Sequence, residues 1–133
     1  WVPARNMVFL SIGAALAENY KYDFIVTGFD AEEAVTFPDN TVEFVEKFNS
    51  VLELGTLTRP KVYAPLISMD KAGIVKRGAR IDAPLEFSWS CYEGREEPCM
   101  VCESCMRRIR AFELAGIKDP LLEKLKTGKF KKI

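Results

Sequence analysis

Four cysteines between Cys91 and Cys105 are the residues whose type and spacing most clearly indicate chemistry. Cys99, Cys102 and Cys105 are spaced CxxCxxC, Cys91 precedes them, and the chain contains no histidine. Zinc takes four such thiolates at tetrahedral corners, and a tight CxxC turn directs backbone N–H groups at the sulfurs. Because four thiolates leave no open position for water, the spacing predicts a structural zinc site.

Two alternatives to zinc stay open from the spacing alone. An iron–sulfur cluster also uses CxxCxxC with a fourth cysteine nearby, although here the fourth cysteine lies upstream. Disulfides or unligated thiols are the other alternative, but secreted proteins usually distribute cysteines to join distant loops. The local cluster therefore indicates a reducing compartment, and we expect a cytoplasmic protein.

The charge balance of the chain gives no reason to expect a nucleic-acid or membrane partner. Its 133 residues contain 19 lysines and arginines against 19 aspartates and glutamates, so no strong overall field attracts phosphates. No apolar run reaches the roughly 20 residues that span a bilayer, and the start of the chain lacks the pattern of a signal peptide.

The order of predicted helices and strands indicates an α/β fold with a parallel sheet. Residues 3–20 predict a helix that is apolar nearly all round and buried against a sheet. "DFIVTG" (23–28) predicts a central strand covered on both faces, and "DAEEAVTFPDN" (30–40) a polar loop. A helix capped by Asn40 or Thr41 then runs to Leu54, and "KVYAPL" (61–66) predicts a second strand.

The second half of the chain predicts helices around the cysteine loop. Asp70 is expected to cap a short helix that stops at Gly78. After the cysteines, a helix is expected from Glu103 to Ala115, followed by a frayed basic tail.

Four stretches in the same order resemble one enzyme family. They are "VPARN" (2–6), "FPD" (37–39), "PLISMDKAGIVKRG" (65–78) and "WSCYEGREEPCMVCESCMRRIRAFELAGIKDP" (89–120). Together they are similar to the 7-cyano-7-deazaguanine synthases of queuosine and archaeosine biosynthesis. The resemblance implies the Rossmann-like sheet of the ATP pyrophosphatase (PP-loop) superfamily, an adenine nucleotide alpha hydrolase-like fold. Residues 1–80 would be part of a nucleotide-binding domain, and residues 81–133 the zinc loop, helix and basic tail.

The resemblance also implies a reaction and its ligands. The family converts 7-carboxy-7-deazaguanine and ammonia to a nitrile with ATP and Mg²⁺, and it suggests a homodimer. A carboxylate is a poor electrophile, so adenylation activates it for ammonia, and a second adenylation removes the amide oxygen. The residues implied to contact ATP are Arg5, Asn6 and Lys71, and those implied to contact the substrate are Phe37, Pro38, Asp39 and Ser90.

Each implied site residue also has a purely structural interpretation. Arg5 and Asn6 begin a helix whose free N–H groups suit an anion, but such residues are also ordinary at a helix start. Lys71 is equally consistent with a solvated lysine, Pro38 and Asp39 with a turn, and Ser90 with a loop hydroxyl. The arginines of the last helix, which are Arg107, Arg108 and Arg110, predict a solvated face, with an interface or phosphate contact as the alternative.

The sequence departs from its family in two ways. Asp30, Asn40 and Thr41 replace the usual asparagine, cysteine and arginine, and Gly73 replaces a glutamate. The glycine-rich phosphate loop and an initiating methionine are absent, so we expect the C-terminal part of an enzyme that needs its N-terminal part for activity. The alternatives are a related PP-loop enzyme acting on another deazapurine or a tRNA base, and a non-catalytic zinc module binding RNA or protein.

Overall fold

The computed structural model describes residues 2–128, which form two compact units, one ending at Met69 and the other beginning at Asp70. The first unit contains α1 (Arg5–Tyr20), β1 (Phe24–Val26), α2 (Ala31–Thr36), α3 (Val42–Gly55) and β2 (Lys61–Tyr63). The second contains α4 (Lys71–Arg80), α5 (Glu103–Ala115) and α6 (Pro120–Lys126). The predicted domain boundary after residue 80 instead placed α4 in the first part. The assignment of nucleotide binding to residues 1–80 and of the zinc loop to residues 81–133 stays a prediction.

Strands β1 and β2 pair in parallel, as the sequence predicts, with Ile25 opposite Val62. These two side chains join the core of the first unit. Within residues 2–128 the sheet has only these two strands. A mixed α/β fold with a parallel sheet is confirmed. The two strands of the described residues do not by themselves confirm a full Rossmann-like sheet.

The predicted burial of β1 on both faces is wrong. Its alternate residues Phe24 and Val26 are 58% and 67% exposed, and Tyr63 of β2 is 54% exposed. Successive side chains of a strand point to opposite faces, so within residues 2–128 the core covers one face of the sheet and leaves the other exposed.

Helix α1 is also buried on one side rather than all round. Leu10 and Ala14 pack in the core with Phe48 and Leu52 of α3. Gly13 permits a close approach to β1, because a Cβ there would lie 3.2 Å from Cγ2 of Ile25. The opposite side of α1 exposes more than half of each of its apolar side chains Val8, Phe9, Ile12 and Leu16.

The predicted polar loop contains a helix, α2, which the sequence reading missed. The Asp30 carboxylate accepts hydrogen bonds from the N–H groups of Glu32 and Glu33 at 3.0 and 2.9 Å. It thereby satisfies two of the free donors at the helix start. Of the two predicted caps of α3, Asn40 and Thr41, the structure has Thr41, whose hydroxyl accepts from Phe44 N–H at 3.1 Å.

The second unit confirms its predicted helix starts and adds a helix at its end. Asp70 caps α4 by accepting from Gly73 N–H at 2.7 Å, and α4 continues past Gly78 to Arg80. Gly116 ends α5 with a φ of 68°, a conformation that suits glycine. The expected frayed tail begins inside α6, and its residues 129–133 lie outside the described part of the chain. No helix within residues 2–128 is long and apolar enough to cross a bilayer.

Candidate metal centre and active-site residues

The four cysteines converge on one point. Their Sγ atoms all lie within 4.8 Å of one another, and those of Cys99 and Cys105 are 4.0 Å apart. A tetrahedral zinc site with bonds of about 2.3 Å has sulfur–sulfur edges of about 3.8 Å, so the cluster is close to the size that one ion requires. A disulfide needs about 2.05 Å, and all four thiols are free.

Backbone N–H groups point at the sulfurs, as expected for CxxC turns. Cys91 Sγ accepts from the N–H groups of Glu93 and Cys99 at 3.4 and 3.3 Å, and Cys99 Sγ accepts from Cys102 N–H at 3.2 Å. Met100 takes a φ of 62° inside the turn. These donors stabilise negative charge on sulfur, which is the form that binds metals.

The surroundings change the acidity of the thiols in opposite directions. The backbone N–H of Cys105 is the main cause that lowers the pKa of Cys102 to about 6. The N–H of Cys99 likewise lowers the pKa of Cys91. Burial raises the pKa of Cys105 to about 12. A buried thiol of this kind ionises when a cation lies beside it, so the donor set fits a four-thiolate metal centre.

The helix beside the cysteines is held by a buried arginine. Arg108 Nε and Nη2 donate to the two carboxylate oxygens of Asp119 at 2.5 and 2.8 Å, and Nη1 donates to the hydroxyl of Ser88 at 2.8 Å. The guanidinium also lies 5.0 Å from the ring centroid of Phe112. Arg108 and Asp119 are each more than nine-tenths buried.

The expectation of a solvated arginine face is therefore wrong for Arg108. A solvated position describes the other two arginines better. Arg110 is exposed, and half-buried Arg107 pairs with exposed Glu103 at 2.5 Å. The structural role of Arg108 was missed because its partners lie 11 and 20 residues away. Helix α6 was also missed, although an aspartate followed by proline, as in Asp119-Pro120, is typical of a helix start.

Asn6 and Asp39, predicted from the resemblance to contact ATP and substrate, are brought together in the first unit. The N–H of Asn6 donates to Asp39 Oδ2 at 3.2 Å, and the Asn6 side-chain amide donates to the Asp39 carbonyl at 3.1 Å. Asn40 donates to Asp39 Oδ1 at 3.3 Å. Ala4, at the cap position of α1, provides no side-chain acceptor, so Asp39 supplies the missing carboxylate from a distant loop.

The other predicted contact residues occupy varied positions. Arg5 is exposed at the first position of α1, Pro38 is exposed in a 3₁₀ turn, and Phe37 before it is half-buried. In the second unit, half-buried Lys71 begins α4. Ser90, also half-buried, lines a narrow pocket beside Cys91, Cys105 and Arg108. The ligand contacts of all these residues stay predictions.

Three residues that the sequence analysis expects to depart from the family pattern have local structural roles. Asp30 caps α2, Thr41 caps α3, and Asn40 donates to the buried carboxylate of Asp39. These substitutions are therefore compatible with the local fold.

Together, the parallel α/β unit and the four-thiolate cluster define the class: a mixed α/β protein with a candidate structural metal centre. The family model described as queuosine biosynthesis protein QueC matches residues 1–116. The chain belongs to this family.

Curated archaeal relatives agree with this assignment, and each is named 7-cyano-7-deazaguanine synthase. The chain is 53% identical to the protein of Methanobrevibacter smithii over 120 residues, which are 90% of this chain and 53% of the relative. It is 50% identical to that of Methanosarcina barkeri over 125 residues, 94% of this chain and 54% of the relative. It is 54% identical to the protein of Methanothermobacter thermautotrophicus over 120 residues, which are 90% of this chain and 54% of the relative. The chain thus spans about half the length of these relatives.

Proposed function

We propose that this chain is the C-terminal part of an ATP-dependent enzyme that converts 7-carboxy-7-deazaguanine and ammonia to 7-cyano-7-deazaguanine. The match of residues 1–116 to the QueC family is the observation that carries the proposal. The names of the relatives support the same activity, at about half sequence identity. The enzyme would act in the cytoplasm, as a homodimer.

The proposed chemistry activates the same carbon twice. The substrate carboxylate attacks the α-phosphate of ATP and releases pyrophosphate, and ammonia then displaces AMP to give an amide. The amide oxygen then attacks the α-phosphate of a second ATP, pyrophosphate leaves, and the amide nitrogen loses one proton. Loss of AMP together with the one remaining N–H proton leaves the nitrile. Such chemistry requires close alignment and exclusion of water.

The residues of this chain would position the reactants. Arg5 presents a guanidinium at the start of α1, where a helix end also favours an anion. Lys71 would contact ATP phosphate from the start of α4, and Mg²⁺ would bind with the nucleotide. Phe37, Pro38 and Ser90 would contact the deazapurine.

The contacts of Asp39 favour an indirect role in this proposal. Asp39 is 7% exposed, and its carboxylate already accepts from Asn6 and Asn40. We therefore assign it to positioning the start of α1, and with it Arg5, in preference to the predicted contact with the base.

The four cysteines would hold zinc as a structural ion. The two alternatives, an iron–sulfur cluster and a bare thiol cluster, are separated by metal analysis. Colourless protein with about one zinc per chain supports the proposal, whereas visible absorbance with iron and sulfide rejects it.

A direct assay tests the reaction. A longer polypeptide containing this chain and the remaining half of the family's length should form the nitrile from the carboxylate, ammonium and ATP, with release of AMP and pyrophosphate. The chain alone should release none. Activity of the chain alone, or no nitrile from the longer protein, would sink the proposal.

A second candidate is a related PP-loop enzyme that acts on another deazapurine or a tRNA base. Asp30, Asn40 and Thr41, which are expected to differ from the family pattern, motivate it. Pyrophosphate release with a panel of deazapurine acids and tRNA decides between the two. Turnover of another acid in preference to 7-carboxy-7-deazaguanine would favour the second candidate.

A further inference from the structure

The balanced net charge of the chain conceals an uneven distribution along it. Residues 1–69 contain 5 lysines and arginines against 9 aspartates and glutamates, whereas residues 70–133 contain 14 against 10. Three of these lysines belong to residues 129–133, outside the described part of the chain. Opposite charge in the two halves of a chain suggests an anionic partner, such as a nucleic acid, for the basic half. The charge balance of the whole chain therefore does not describe its second unit.

Helix α4 gathers three cations of the second unit on one side. Lys76, Arg77 and Arg80 are exposed, whereas Ala72 and Val75 are buried. Because an α-helix turns once in about 3.6 residues, the three cations lie within about 100° of one another, on the side opposite Val75. We call these three side chains the basic stripe.

No acidic side chain neutralises the basic stripe among residues 2–128. Helix α4 contains no aspartate or glutamate of its own. The ion pairs of the second unit involve other cations, such as Arg108 and Lys124. Of the two flanking acids, Asp70 caps the helix start, and Asp82 follows the helix without forming an ion pair. The stripe therefore presents three uncompensated positive charges.

Helix electrostatics explains only part of this arrangement. Cations near a helix C-terminus interact favourably with the helix dipole, which accounts for Arg77 and Arg80 in the last turn. It does not account for the lack of an acid one turn earlier. Gly73 occupies that position, three residues before Lys76 and four before Arg77, where an acidic side chain would pair with both.

We propose that the basic stripe binds the phosphate backbone of structured RNA through its double-stranded segments. The inference goes beyond the proposed function and does not rest on it, because the contact requires neither ATP nor the deazapurine.

The composition of α4 favours this partner over a membrane or DNA. A helix that binds a membrane surface inserts an exposed apolar side, whereas Val75 packs against Ala111 and Phe112 of α5. A helix that reads DNA presents groups such as asparagine or glutamine to the base edges, and α4 has neither. Double-stranded RNA is recognised mainly by its shape and through phosphates and 2′-hydroxyls, which cations alone can contact.

The test is fluorescence anisotropy of a labelled RNA duplex of about 16 base pairs, the span of a double-stranded RNA-binding domain. The duplex is titrated with the chain, without ATP, at several salt concentrations. Three phosphate contacts give a slope of log affinity against log salt of about −2.7 or steeper. The affinity should then fall at least roughly 40-fold between about 50 and about 200 mM salt.

Charge-removing variants should change this slope in steps. Lys76→Gln, Arg77→Gln and Arg80→Gln should each make the slope less negative by about one. Lys47→Gln makes the same charge change at an exposed position of α3 and should leave affinity and slope unchanged. The basic tail is the same in every variant, so its contribution to binding cancels.

An added acid separates binding from folding. Gly73→Glu keeps every cation but places a carboxylate within the stripe, so it should weaken RNA binding. The same variant should not lower the unfolding midpoint, because glutamate is a better helix former than glycine and an acid suits the first turn of a helix. Loss of RNA binding without loss of stability supports the stripe as a binding surface.

Two results would overturn the inference. One is an unchanged salt slope in the three glutamine variants. The other is tighter binding of a DNA duplex of the same sequence, or of polyglutamate competing for the same chain, than of the RNA duplex. An enzyme that forms the nitrile but does not bind RNA would reject this inference alone, and RNA binding without nitrile formation would reject only the proposed function.

Discussion

The two units differ in how far their buried polar groups and apolar side chains find partners among the described residues. In the second unit, the charged groups of Arg108 and Asp119 pair with each other, and the four thiols converge on one centre. Among residues 2–128, the first unit pairs β1 with β2 alone and leaves Phe24, Val26 and Tyr63 on one sheet face exposed. Among the described residues, the second unit pairs its buried charges internally and gathers its thiols, whereas the first unit exposes apolar side chains of its sheet.

This difference explains why the cysteines identify the family better than they explain its reaction. A closed shell of four thiolates has no position for water or substrate, so it fixes the start of α5 and does no chemistry. Most residues proposed to contact ligands, such as Arg5 and Phe37, lie in the first unit, away from the cysteines in sequence. We therefore expect metal removal to affect the stability of the second unit.

The largest effect should come from removing a cysteine. Cys105→Ser eliminates a buried ligand, and structural zinc sites in small peptides contribute about 10–16 kcal/mol to folding. We expect loss of bound metal and loss of cooperative unfolding in residues 70–128, measured by elemental analysis and hydrogen exchange. Val101→Ser, at a 79% exposed position in the same turn, should keep both. Protection of α5 that survives metal removal would contradict a structural role for the ion.

The second effect should follow from breaking the buried ion pair. Arg108→Met leaves the Asp119 carboxylate buried without its partner, which typically costs about 3–5 kcal/mol. Chemical denaturation should show this loss, while Arg110→Met on the exposed side of α5 should change stability by less than about 0.5 kcal/mol.

A double variant separates charge from packing in this pair. Adding Asp119→Asn to Arg108→Met removes the uncompensated charge and keeps an acceptor for Leu121 N–H, which Asp119 caps at 3.0 Å. The double variant should therefore regain part of the lost stability. Equal stability of the single and double variants would mean that lost packing, not the buried charge, dominates.

A smaller effect should come from the outer edge of β2, where Asn49 of α3 accepts from Val62 N–H at 2.7 Å and donates to the Val62 carbonyl at 3.2 Å. Asn49→Leu leaves the buried N–H and C=O of Val62 unpaired, at about 1–3 kcal/mol for each group. Asn49→Asp keeps the acceptor for the N–H and should cost less. Ser50→Leu, at an exposed position of α3, is the control. If Asn49→Leu unfolds at the wild-type denaturant concentration, the closure of β2 by this side chain is not needed.

The sequence predicted those elements whose signals are local. Asp70 and Gly116 mark the start of α4 and the end of α5 through their own backbone contacts, and the cysteine spacing determines the CxxC turn. Helix α2 was missed because its Asp30 cap lies in a polar stretch without an apolar period. The partners of Arg108 and the closure by Asn49 depend on tertiary contacts that no short pattern encodes.

The exposure of α1 and β1 was mispredicted for a different reason. An apolar sequence indicates that a surface tends to be covered, but it does not say by which chain. Val26 and Leu16 are apolar residues of the kind usually buried, yet they are exposed among the described residues.

The smallest effect should come from a surface pair in the second unit. Lys124 Nζ lies 3.1 Å from Glu86 Oε1 and 4.8 Å from the ring centroid of Phe87. The backbone N–H of Glu86 and the ammonium of Lys124 hold the pKa of the Glu86 carboxyl below its usual value. Because the folded pKa lies below the unfolded one, the stabilisation is present above the unfolded pKa. It disappears as the pH falls through the folded pKa.

The pH dependence of unfolding can isolate this contribution. Glu86→Gln should lower the unfolding midpoint slightly at pH 7, where the carboxylate is charged, and the difference from wild type should vanish in acid. Exposed pairs are weak and screened by salt, so added salt should also reduce the difference. A difference that persists unchanged in acid would assign the effect to packing around Phe87 instead of charge.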